Sequence, residues 1–142
     1  MEATISRLMM KEHRRINEML EDFEKLEVAD YKQSKNAFDI FKWKLDKHFF
    51  IEEKVIFNIY NSSSEENFDI INLLKDHKDI LWLISKTEES LKNNLKPSVI
   101  ELKKLLAAHA RTEDAIFYPK LDKELSDEER SMILERADEI IG

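Results

Sequence analysis

All four histidines of this 142-residue chain sit inside apolar stripes of helical period, and two of them have a glutamate four residues further along the same stripe. On a helix, residues i and i+4 lie one above the other, about 40° apart around the axis and about 6 Å along it. His48 and Glu52 therefore point into one space, and so do His109 and Glu113. A carboxylate on an apolar face is costly to bury unless something pairs with it. His13 and His77 stand alone on two further stripes. Four amphipathic helices, each delivering one imidazole to a shared interior, form the arrangement this pattern demands.

The composition agrees. One Gly and two Pro in the whole chain leave few turn residues, which suits long helices and argues against a strand-rich fold. The length fits a single domain, residues 1–142, that buries about two-thirds of its unfolded surface. A net charge of −7 speaks against a nucleic-acid surface. Cysteine is absent, so disulfide and thiolate chemistry are excluded. No basic region followed by an apolar run opens the chain, and no run approaches the roughly 18 apolar residues of a membrane span. A soluble cytoplasmic protein is expected, with no nucleic-acid or membrane partner.

In chain order, Ile5, Leu8, Met9, Ile16, Met19, Leu20, Phe23 and Leu26 predict a first helix over about 5–26, with His13 inside its stripe. Met9, Met19 and Phe23 read as core packing. Asp30 with Gln33 forms a capping box for a second helix over about 31–60. The stripe of that helix is Ala37/Phe38, Phe41, Leu45, His48, Glu52, Val55/Ile56 and Ile59. Its other face, Lys35, Lys42, Lys47, Glu53 and Lys54, reads as solvated. The Ser62-Ser63-Ser64 run with Glu65 and Glu66 offers capping boxes for a third helix reaching about Leu95, where Lys96-Pro97 breaks it. Its stripe carries His77, and Trp82 flanks it. Ser98 with Glu101 caps a fourth helix through Val99, Leu102, Leu105/Leu106, His109, Glu113, Ile116 and Phe117, ended by Pro119. Ser126 with Glu129 caps a short last helix, about 127–141, packed across the bundle. The expected fold is an all-α, up-down-up-down four-helix bundle over about 5–120 with this C-terminal extension.

The two halves repeat. Lys11-Glu12-His13-Arg14-Arg15-Ile16 matches Lys75-Asp76-His77-Lys78-Asp79-Ile80, and His48–Asn58 aligns without gaps on His109–Pro119. One inward histidine is usually a core residue with a satisfied hydrogen bond. Four facing inward by chance, if about a third of helical positions do so, has a probability on the order of one in a hundred. A metal site at His13, His48, Glu52, His77, His109 and Glu113 is therefore expected. Nitrogen and oxygen donors without thiolate suit iron, manganese or zinc. Six donors overfill a tetrahedral zinc site, so two ions are expected. Excess positive charge favours an anionic bridge, and open positions would take a small ligand.

This ordered set of motifs, with Glu53-Lys54-Val55-Ile56-Phe57 and Asp114-Ala115-Ile116-Phe117-Tyr118-Pro119 after the two pairs, resembles the hemerythrin-like (HHE) cation-binding domain over about residues 5–120. The resemblance implies two iron ions with an oxo or hydroxo bridge, iron being favoured over manganese or zinc. It implies that His13 and His48 ligate one iron, His77 and His109 the other, and that Glu52 and Glu113 bridge them. Oxygen-carrying members have a fifth histidine one turn before His77. Leu73 stands there, and Leu81 one turn after is no substitute, so the His77/His109 iron should be one ligand short. That departure counts against reversible dioxygen carriage and points toward sensing or reactive-oxygen chemistry. Asn58 replaces a proline frequent after the first pair; Pro119 keeps it in the second.

Two functions follow as expectations. The first is a non-haem di-iron protein binding dioxygen, another diatomic or peroxide, for oxygen or iron sensing or for scavenging; a sensor would need a separate protein partner. The second is an enzyme turning over peroxide or nitric oxide, or oxidising ferrous iron. No catalytic residue is assigned, since neither an inward tyrosine nor an additional inward acid is evident. A purely structural bundle is disfavoured by the inward carboxylates.

Overall fold

The computed structural model describes residues 3–26, 31–60 and 67–142, and these fold into five helical runs with no strand among them. Helix α1 spans Ile5–Lys25. Helix α2 occupies residues 31–60: α-helical over Tyr31–Phe50, widened to a π-helix over Ile51–Ile56, and α-helical again over Phe57–Tyr60. Helix α3 spans Phe68–Lys92. Helix α4, residues 100–124, repeats the pattern of α2, with an α segment Ile100–Thr112, a π segment Glu113–Phe117 and an α segment Tyr118–Glu124. Helix α5 spans Asp127–Ile141.

Cross-helix contacts fix the directions. Phe23 meets Phe38 while His13 meets His48, so α1 and α2 run antiparallel. Lys42–Glu88 and Glu53–His77 set α2 against α3 in the same sense. Asp76–His109 and Asp69–Lys120 do so for α3 and α4. The amides of Ile5 and Ser6 donate to the Asp122 carboxylate, closing the ring between the start of α1 and the end of α4. The expected up-down-up-down, all-α bundle is therefore what forms. Helix α5 lies over one end, its Ile133 and Ala137 buried in the same apolar cluster as Met9, Ile51 and Val55.

The core has two apolar halves. One gathers Ile5, Met9, Val55, Leu73, Phe117 and Leu121; the other gathers Ile16, Phe23, Phe38, Leu45, Ile80 and Leu102. Each fully buried residue of this kind contributes about 1.5–3 kcal/mol. In every bundle helix the switch from one half to the other falls at or close to a histidine. The polar layer is a single slab across the bundle.

Several boundaries differ from the sequence expectation. The Asp30 box and the Ser62–Ser64 boxes lie outside the described residues; α3 itself begins at Phe68, with Asn67 as its N-cap accepting from Ile70 N–H. That helix stops at Lys92, before Leu95. Asn94 adopts a left-handed φ of 58°, Leu95 N–H bonds Ser90 C=O and Asn94 N–H bonds Leu91 C=O, a Schellman closure that ends the helix before Lys96-Pro97 is reached. Lys96 instead covers the C-terminal carbonyls of α1, donating to Glu24 and Leu26. The Ser98–Glu101 box does not form: Val99 is the N-cap of α4 and makes no side-chain bond, and Ser98 only accepts from Ile100 N–H at 3.4 Å. The Ser126–Glu129 box forms as expected.

Pro119 does not end α4. It sits in the first turn of Tyr118–Glu124, where a missing N–H is harmless. The π segment before it makes this workable, because Tyr118 N–H bonds Glu113 C=O five residues back and the ladder is out of α register when proline arrives. In α2 the equivalent bond is Phe57 N–H to Glu52 C=O. There Asn58 stands in the proline position and its side-chain amide donates to Lys54 C=O.

Because Asp122 serves two α1 amides from 117 and 116 residues away, Asp122→Ala should destabilise the protein by about 1–2 kcal/mol, the range for losing a helix cap. Denaturant unfolding measures this; no change would mean that the Thr4 cap alone holds the start of α1.

Candidate metal centre

The structure brings the six expected side chains together. Glu52 and Glu113 have no solvent exposure, His48, His77 and His109 are buried at 1–3%, and His13 is the least covered at 11% by side chain. His13 Nε2 lies 3.1 Å from His48 Nε2 and 3.1 Å from Glu113 Oε1. His48 Nε2 is 3.2 Å and His77 Nε2 3.4 Å from Glu52 Oε1, and His109 Nε2 is 3.1 Å from Glu113 Oε1. Two donor sets result: Glu52, His77, His109 and Glu113, and beside it His13, His48 and Glu113.

The far side of three rings is held by acids. His13 Nδ1 meets Asp114 at 2.9 Å, His77 Nδ1 meets Glu53 at 3.0 Å and His109 Nδ1 meets Asp76 at 3.0 Å. A carboxylate accepts from the ring N–H, so these acids put the proton on Nδ1 and leave a lone pair on Nε2. Those lone pairs face carboxylate oxygens and one another. Acceptor set against acceptor, in a layer this buried, is repulsive unless a cation or a proton lies between them. His77 Nε2, His109 Nε2 and Glu52 Oε1 are accordingly buried with no hydrogen-bond partner among the described residues. The donor set fits a transition metal.

Helical period alone puts Glu53 on the solvated face and gives no role to Asp76 or Asp114. The available signal was the repeat, in which an acid follows each inward Glu and precedes His77. Glu53 and Asp76 are indeed about one-third exposed by side chain, and reach inward only at their carboxylates.

Helical period alone predicts no inward tyrosine; the structure places one there. Tyr118 is fully buried, and its hydroxyl donates to Glu52 Oε2 at 2.6 Å and to Glu113 Oε2 at 3.0 Å, one proton shared by two acceptors. In an unbroken α-helix Tyr118 would lie about 140° around the axis from Glu113, facing away from it. The π segment adds a residue to the turn and rotates Tyr118 inward. The same rotation turns Ile116, expected in the stripe, out to solvent at 63% exposure.

The sequence that builds this geometry also matches a known family. A family model, the hemerythrin HHE cation-binding domain, matches residues 4–121. The chain belongs to the hemerythrin HHE cation-binding domain family. No curated protein and no solved structure matches it. The HHE cluster here is well defended electrostatically. Burial opposes the charge on Glu52, but the His48 and His77 imidazoles outweigh it and hold the carboxyl well below the ordinary range. Burial, against the pull of Glu52, keeps His48 and His109 below a normal imidazole. At His77 burial is overcome by Glu52 and Glu53, which raise it. Burial, reinforced by the Glu52 charge, raises the Tyr118 phenol well above 10.0, so it remains a proton donor.

Leu73, one turn before His77, is buried in the apolar half of the core that also holds Phe57 and Tyr118. A cleft of about 320 Å³ reaches the centre from the other side, between α1 and α4, lined among others by Asn17, His13, His48, Ala107 and Ala110.

Two outcomes follow for the metal-free HHE domain. Tyr118→Phe should lose about 1–3 kcal/mol in denaturant unfolding, since two buried carboxylate oxygens lose their only hydroxyl; an unchanged midpoint would mean water replaces it. Acidification should also destabilise. Glu52, His48 and His109 bind protons less readily folded than unfolded, so the stability they contribute is present above the unfolded values, 4.5 for the acid and 6.5 for the imidazoles, and is lost as pH falls through them. His77 has the opposite sign, its contribution being full below 6.5 and lost as pH rises through its folded value. Two imidazoles against one, joined by Glu52 below 4.5, predict a lower denaturation midpoint at pH 4 than at pH 7; a higher one would reverse the assignment.

Proposed function

We propose that this chain is a non-haem di-iron protein that binds dioxygen or a related small ligand at the His13/His48 side of its centre, for oxygen or iron sensing or for scavenging. The observation that supports this most is the set of Nε2 lone pairs aimed at buried carboxylates, with three of the four rings fixed in that tautomer by Asp114, Glu53 and Asp76. His13 and His48 would hold one iron, His77 and His109 the other, with Glu52 and Glu113 shared between them. When bound, the iron pair supplies redox chemistry and positions where a small ligand can coordinate.

The chain's own residues do the rest. The outer acids orient the rings and raise their basicity as ligands. Phe49, stacked on His77 at 3.8 Å between ring centroids, seals the His77 side. The α1/α4 cleft, at the lower end of small-molecule site volumes, leads from solvent to His13 and His48.

One observation favours the enzymatic reading: Tyr118 keeps a proton beside both central carboxylates, the group a peroxide- or nitric-oxide-consuming centre needs. Stopped-flow optical spectra of the reduced, iron-loaded protein separate the two. A stable oxygenated band that reverses on removal of oxygen is expected for binding; rapid conversion to the diferric form with peroxide consumed would favour turnover. Purified without added metal, the protein should carry iron by elemental analysis, and His48→Ala combined with His109→Ala should abolish it. Unchanged metal content in that double variant would overturn the site.

A further inference from the structure

The two halves of the centre are related by the internal repeat, which pairs α1 with α3 and α2 with α4. Their outer acids obey that relation in one direction. Glu53 of α2 holds His77 of α3, and its counterpart Asp114 of α4 holds His13 of α1. In the other direction it is broken. Asp76, the residue before His77, holds His109; its counterpart Glu12, the residue before His13, should hold His48. It does not. Both Glu12 oxygens lie 2.8 Å from Lys44 Nζ, in an ion pair buried with both residues under 10% exposed. His48 Nδ1 is left buried and without a partner among the described residues.

Lys44 lies one turn before His48, and the residue one turn before His109 is Leu105. A single lysine in place of a leucine thus captures the acid that symmetry assigns to His48. A ligating imidazole without its outer acceptor is a poorer base and is free to turn, effects that cost about 10–100-fold in metal affinity. Other differences run the same way. With Glu52 and Glu113 shared, each set has two imidazoles and two carboxylates, but all four donors of the His77/His109 set are buried whereas His13 is only partly so. His13 is the most exposed of the rings, and the α1/α4 cleft opens onto His13 and His48, with His109 at its inner wall.

We propose that the two metal positions are unequal by construction: His77/His109 holds its ion firmly, His13/His48 is the exchangeable position, and the Lys44–Glu12 pair sets the difference. The inference rests on the two-ion reading above. It places the expected shortfall of ligands near Leu73 second to the loss of support at His48. A protein so built would lose one ferrous ion as the metal becomes scarce and keep the other.

Anaerobic titration of the metal-free protein with ferrous ion against a competing chelator tests this without any activity readout. Two steps at least tenfold apart are expected, and His13→Ala should remove the weaker one. Lys44→Leu should narrow the gap at least tenfold by releasing Glu12 to His48. Should that variant fold poorly, Lys44→Leu with Glu12→Gln removes both charges, leaves an amide oxygen for His48, and should narrow the gap in the same sense. Asp76→Asn should weaken the tighter step instead. Two equal steps in the parent protein, or a gap unmoved by both Lys44 variants, would overturn the inference while leaving the di-iron reading intact. Failure to bind any ferrous ion would overturn both.

Discussion

Everything in this bundle is arranged around a repulsion. At least three imidazole lone pairs and the oxygens of two buried carboxylates share one layer, and elementary electrostatics disfavours that set standing unrelieved. The surrounding structure strengthens the conflict, because the outer acids fix the ring protons on the far nitrogens and the two apolar halves keep water away. A fold that stabilises such an arrangement is prepared for cations. The Tyr118 hydroxyl tempers the carboxylates without neutralising them, since its own proton is held firmly.

The π segments are the backbone's contribution. Both begin at or next to the inward glutamate, and both route a five-residue bond to that glutamate's own carbonyl. Their effect is to re-phase the helix below the centre. Residues above keep the stripe set by the histidine; residues below are turned, which brings Tyr118 in and sends Ile116 out. Proline at position 119 suits this interruption, yet α2 makes the same turn with Asn58, so proline is not its cause.

How much of this could be read from residue order is clear from particular cases. His48 with Glu52, and His109 with Glu113, were legible because spacing on a regular helix is a local property, and so were the bundle and its number of helices. Tyr118 was not, since the inference assumed an unbroken α period through Glu113. Glu53 was misread as surface because it is one: its stem is exposed while its carboxylate reaches the next helix. The ends of α3 and α4 moved by a few residues where backbone geometry at Asn94 and Val99 outranked the more obvious capping motifs.

Composition, helical period and the internal repeat by themselves determined a helical bundle with imidazoles and two carboxylates turned inward, because those depend only on neighbours three and four residues away. Tertiary structure alone decided which acid serves which histidine, that Tyr118 bridges the two carboxylates, and that Lys44 takes Glu12 from His48. Each of those is a contact between helices, or a change of helical phase, and its outcome turns on ångström-scale packing that no spacing rule along one helix encodes.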